Sequence, residues 1–128
     1  MSVKLEINPS VLSSILSSSE PTFVHVGKTC VQEMVDYYRE VYMLDHQIQI
    51  WRVTLDDSEF RTRVQEGDRR RSAFHDSAMA SLSVAARLAE KLGLDPLLNF
   101  RVDDEYRGDV ADAMFEYVET VVGAHKQK

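Results

Sequence analysis

The sequence predicts an all-α fold, a helical bundle of three to five helices with one long central helix from about Ser58 to Leu92. Two observations predict it. Phe60, Val64, Gly67, Arg71, Phe74, Ala78, Ser81, Ala85, Leu88 and Leu92 recur at alternating four- and three-residue steps, the near-heptad seam of helical bundles. Five glycines and three prolines in 128 residues are also too few for the frequent turns of a sandwich or barrel. With 44% hydrophobic and 28% charged residues the composition is that of a globular chain, read as a single domain spanning 1–128.

Residues 1–27 are expected to form a packed N-terminal arm. Val3 to Ile7 alternate like a short strand, and Asn8-Pro9 reads as a helix cap with proline in the first turn. Val11, Leu12, Ile15 and Leu16 then make a short amphipathic helix ending in Ser17–Ser19, and Phe23, Val24 and Val26 dock on the body. The helical bundle is expected over 28–124. Val31, Met34, Val35, Tyr38, Val41 and Tyr42 form one apolar face, and Leu44, Ile48, Trp51 and Leu55 carry the pattern to about Leu55. Ile48 to Leu55 has some strand character, but no glycine or proline interrupts Thr29 to Gly67, so the helix is read as continuous. Asp56, Asp57 and Ser58 cap the long helix, in which Gly67 could mark a kink. Gly93 is its natural C′ residue, and Pro96 blocks an immediate restart. Leu94, Leu97, Leu98 and Phe100 make the connection too apolar for a free linker. Asp103, Asp104 and Glu105 cap a last helix from Tyr106 that frays near Gly123.

Composition excludes more than it assigns. Cys30 is the only cysteine, so a disulfide framework and a multi-cysteine zinc site are ruled out within one chain. Placed near a helix start its thiol could be activated, but between Thr29 and Val31 it reads as a small packing residue. No secretory signal is expected at the start, and no apolar run approaches the ~20 residues that span a bilayer. The expected location is the cytoplasm. A formal net charge of -6 disfavours nucleic-acid binding. Arg61, Arg63, Arg69, Arg70 and Arg71 look like a basic patch, yet at ~100° per residue Arg69, Arg70 and Arg71 point three ways.

The most informative cluster is Asp68, Arg71 and His75, which fall on or beside the apolar face at three- and four-residue spacing. An arginine on a buried face needs a partner; Asp68 is nearest, with Asp109 or Asp112 as further candidates. The trio reads either as a ligand-binding pocket between helices or as a buried polar network that fixes packing. The His75-Asp76 dipeptide invites comparison with metal-dependent phosphohydrolases. Those sites need further ligands, and Asp76 should point away from His75, so no metal and no cofactor are expected. No Gly-x-Ser-x-Gly context or glycine-rich phosphate loop is present, and no catalytic residue is assigned. Further along, Ala73, Ser77, Ala80 and Val84 form a stripe of small residues away from the seam. With apolar or small residues nearly all round, this half of the helix should be centrally buried or part of a subunit interface.

The run Asp68, Arg71, His75, Met79, Leu82 and Arg87, with Gly108-Asp109 opening the last helix, resembles a family of small uncharacterised bacterial all-helical proteins. That family carries an Asp-x-x-Arg-Arg-x-x-His-Asn motif followed by a Leu-Asn-Arg-like stretch. The sequence departs from it at Ser72, Asp76 and Ala86. The resemblance covers roughly residues 30–122 and implies an all-helical fold with no function attached. The sequence therefore points to a non-enzymatic cytoplasmic interaction protein forming a homo-oligomer. The alternative is a bundle that binds a small polar or anionic ligand around Arg71 and His75.

Overall fold

A computed structural model of the chain describes residues 4–99 and 107–123. Phe100, the acidic run Asp103 to Glu105, Tyr106 and His125 lie outside the described residues, and with them the expected cap of the last helix. The architecture is all-α. Helices α1 (Pro9–Leu16), α2 (Pro21–Thr54), α3 (Asp57–Lys91) and α4 (Arg107–Tyr117) follow one another, and α4 continues into a π-helical segment, Val118–Val122.

Each boundary has a local cause. Asn8 caps α1 by accepting a hydrogen bond from the Ser10 amide, with Pro9 in the first turn where no donor is lost. The second helix begins at Pro21, seven residues before the expected Lys28. Ser18 Oγ accepts from the Glu20 amide, and proline at the first helical position starts the helix without needing its missing N–H. Phe23, Val24 and Val26 are thus residues of α2 rather than of an N-terminal arm. Asp56 caps α3 by accepting from the Glu59 amide. Gly93, with φ +71, ends the helix in the left-handed region that glycine adopts without strain. The π-helical turn stops the same way at Gly123, whose amide donates to the Val118 carbonyl across five residues.

The expected N-terminal strand reduces to one antiparallel bridge, Ile7 with Leu98. The Asn8 amide donates to the Leu97 carbonyl at 2.7 Å, and the Asn99 side chain accepts from the Glu6 amide and donates to the Lys4 carbonyl, each at 2.7 Å. This clasp ties the first residues to the turn after α3. Two segments too short to form a ladder satisfy their backbones by borrowing a side-chain amide.

Helices α2 and α3 form a long antiparallel hairpin closed at Leu55 and Asp56. The pairs Glu33 with Ser81, Tyr37 with His75 and Glu40 with Arg70 follow one another down its length. Leu44 then meets Gly67, where a Cβ would collide with Leu44 Cδ1. Gly67 is therefore a close-approach residue within a helix that runs without interruption from Asp57 to Lys91. At the other end α1 packs on α2 over Gly27, where a Cβ would lie 2.9 Å from Leu16 Cδ2.

The hydrophobic core gathers Leu12 and Ile15 of α1, Cys30 and Met34 of α2, Leu82 and Ala85 of α3, Leu97, and Val110, Met114 and Val118 of the last helix. No residue from 44 to 73 joins it. Beyond Val41 and Phe74 the hairpin continues as a two-helix stalk, residues 43–54 and 57–70, whose residues join no core cluster among the described residues.

Candidate functional site

The neighbourhood of Asp68, Arg71 and His75 lies where α2, α3 and α4 meet. Of the three, only His75 is close to buried, its side chain 12% exposed. Its ring stands edge-on to Tyr37 at 5.2 Å between centroids, and Phe115 of α4 packs on Tyr37 at 5.3 Å. Asp76 does not point away as expected. Its Oδ1 lies 3.4 Å from His75 Nδ1 and accepts from Arg107 Nη2 at 2.6 Å. Arg107, at the start of α4, holds the carboxylate on that side of α3, and the ion pair fastens α4 to the hairpin.

Arg71 is not on a buried face. Its side chain is 40% exposed, and its Nε stands 3.7 Å from Oδ1 of an open Asp68. That separation is an ion pair without a well-formed hydrogen bond. The guanidinium also lies by the Tyr37 phenol and favours its ionised form. Burial outweighs it, and the Tyr37 pKa is raised overall, with Asp112 adding to the rise. The arginine escapes burial because only α2 and the edge of α4 face this turn of α3.

The most buried carboxylate belongs to a pair the arginine run concealed. Arg70 reaches across to Glu40, the one buried charged residue among those described, with Nε to Oε2 and Nη2 to Oε1 both at 3.2 Å. The fork matches a carboxylate in the bidentate manner. A signal for it was present: Tyr37, Glu40 and Leu44 share the seam spacing of α2, so an acid stood on the apolar face and required a partner. Two further ties join helices, and a third fastens the segment before α1 to the last helix. Ser81 donates to Glu33 at 2.9 Å, Tyr38 donates to Glu119 at 3.0 Å, and Lys4 pairs with Glu116. Every buried side-chain nitrogen or oxygen among the described residues has a hydrogen-bond partner.

None of five surface depressions on the described residues, of 220–430 Å³, is lined by Asp68, Arg71 or His75. One of 280 Å³ lies between Val26 and Thr29 of α2 and Ala80 and Val84 of α3. Among the described residues no group of three or more His, Cys, Asp or Glu side chains is placed to hold a metal ion. The small-residue stripe does not face the centre of the bundle. Ala73, Ser77, Ala80 and Val84 are all exposed, while Ala78, Leu82, Ala85 and Ala89 on the other face are buried.

A family model for proteins of unknown function matches residues 11–104, from α1 through the whole hairpin and past the clasp. The chain belongs to the DUF3232 family. The match agrees with the resemblance in that both point to a family without an assigned function. No curated protein and no solved structure matches the chain. In this DUF3232 protein the hairpin, stalk included, lies within the matched stretch, and α4 with the π-helical segment Val118–Val122 lies outside it.

Proposed function

We propose that this DUF3232 protein is a non-enzymatic interaction protein that acts as a homo-oligomer in the cytoplasm. One observation carries the reading: several large apolar side chains stand exposed on the hairpin. Met43, Ile50 and Val53 of α2 and Val84 of α3 all stand open, Val53 at 82% exposure. Isolated exposed aliphatics are ordinary, but three within eleven residues of one helix make a patch. The polar cluster supports the same reading. Glu40 with Arg70 and Asp76 with Arg107 are engaged in ties between helices, and the His75 ring packs on Tyr37 of α2. No helix among the described residues is long and apolar enough to cross a membrane, which fits action in the aqueous phase. The Asp68–Arg71–His75 motif and the bacterial origin implied by the resemblance belong to the same reading.

Light scattering on the full chain across a concentration series tests the proposal. The expected result is a mass above that of one 14.6 kDa chain, rising with concentration. A single-chain mass up to high micromolar concentration would refute it.

A further inference from the structure

We infer that residues 4–8 and the last helix, Arg107 through Val122, open and close together as one cover over the apolar face of α2 around Cys30 and Tyr38, while the hairpin stays paired.

The two pieces hold each other. Lys4 pairs with Glu116 of α4. A depression of 220 Å³ between them is lined by Glu6, Ile7 and Pro9 on one side and by Ala113, Glu116 and Tyr117 on the other. Leu5 and Ile7 are buried in the same cluster as Val110, Met114 and Val118. Lifting either piece alone bares apolar side chains of the other to water, so the two open as a unit.

Under the cover lies α2. Phe115 packs on Tyr37 and Tyr38, each at 5.3 Å between centroids. Tyr117 neighbours Cys30, which is closed to solvent; burial raises the phenol's pKa and the thiol's charge adds to the rise. Closed, the cover withholds this face; open, it presents the face on an intact hairpin.

The fastenings of the cover differ from those of the hairpin. The Lys4–Glu116 and Arg107–Asp76 pairs and the Asn99 bonds to Lys4 and Glu6 are all exposed. Such ties contribute little each and exchange readily with water. Of the cover's fastenings, the Tyr38 bond to Glu119 is partly buried. The hairpin is instead crossed by the part-buried Glu40–Arg70 fork and the Ser81–Glu33 bond. Elements with exposed hydrogen bonds open at a lower free energy than the core they lie on. The family match draws the same line. Residues 11–104 take in the hairpin, and both pieces of the cover fall outside them.

The test is native-state hydrogen exchange on the full chain. The Glu6, Met114 and Tyr117 amides should report one common opening, at least about tenfold more frequent than that of residues 30–41 and 74–89. Asn99→Ala removes bonds to Lys4 and Glu6 alone. It should nevertheless accelerate Met114 and Tyr117 by the same factor as Glu6. Tyr38→Phe loosens only the last helix and should in return accelerate Glu6, because coupling between two pieces is reciprocal. Arg70→Ala weakens the hairpin and should leave all three amides unchanged. Asn99→Ala that speeds Glu6 and leaves Met114 and Tyr117 as they were overturns the inference. So does a last helix that exchanges no faster than the hairpin, or that follows the hairpin in Arg70→Ala.

Discussion

At Cys30 burial pushes the thiol from its ordinary 9.0 up to about 12, and Glu33 nearby adds to the rise. The residue sits in the core with Met34 and Met114, well inside α2 rather than at its start. Iodoacetamide should therefore leave the native chain unmodified at pH 8 and label it fully in denaturant, read by intact mass. The pH dependence of stability follows. Because the folded state holds the thiol protonated, its contribution is complete below pH 9 and is lost as pH rises from 9 towards 12. Tyr37, Tyr38 and Tyr117, all raised by burial, act in the same direction above pH 10. The urea midpoint should fall over this range, and Cys30→Ala should flatten the part of the fall nearest pH 9. Different side chains decide the polar cluster. His75→Ala removes a ring packed on Tyr37 and should cost about 2 kcal/mol. Arg71→Leu should change stability by less than about 1 kcal/mol, because half-exposed ion pairs contribute little. Helical spacing put His75, Arg71 and Asp68 on neighbouring turns correctly. It did not show which turn α4 would cover, and that decides burial.

The helices were legible wherever period and punctuation agreed. The seam from Phe60 to Leu88 and the stops at Asp56 and Gly93 are local properties of the chain, and α3 runs Asp57–Lys91. The start of α2 was not read because Ser17 to Pro21 resembles loop, and the proline that seems to break a helix begins one. Nor did the exposure of Ala73, Ser77, Ala80 and Val84 follow from composition. A small-residue face is compatible with burial or with an open surface, and only the placement of α1 and α4 distinguishes them. Links between elements have measurable consequences. Arg70→Ala leaves the Glu40 carboxylate buried without its partner and should lower stability by about 1–2 kcal/mol in urea titration. Glu40→Gln returns the exposed arginine to water and should cost less. At the clasp, Asn99→Ala removes the acceptor for the Glu6 amide and the donor to the Lys4 carbonyl. Hydrogen exchange at the Glu6 amide should then accelerate by at least about tenfold, with protection in α3 unchanged.

For the molecule as a whole, the decisive division is between a core shared by four helices and a stalk made by two of them. Every member of the core cluster lies outside residues 44 to 73, and α1, α4 and the clasp all attach on the core side. The stalk therefore adds backbone to order and seam to cover, but few contacts that the core needs. Shortening both of its helices by equal numbers of turns, with a flexible loop in place of residues 48–63, keeps the remaining halves of α2 and α3 in register. It also leaves Glu40–Arg70 and Leu44–Gly67 in place. The shortened chain should remain helical and unfold cooperatively, at a midpoint within about 5 °C of the full chain, since the removed seam is only half-buried. It should be monomeric at concentrations where the full chain self-associates. A shortened chain that loses cooperative unfolding would show that the stalk belongs to the folding unit. Full stability with undiminished self-association would place the interface on the core.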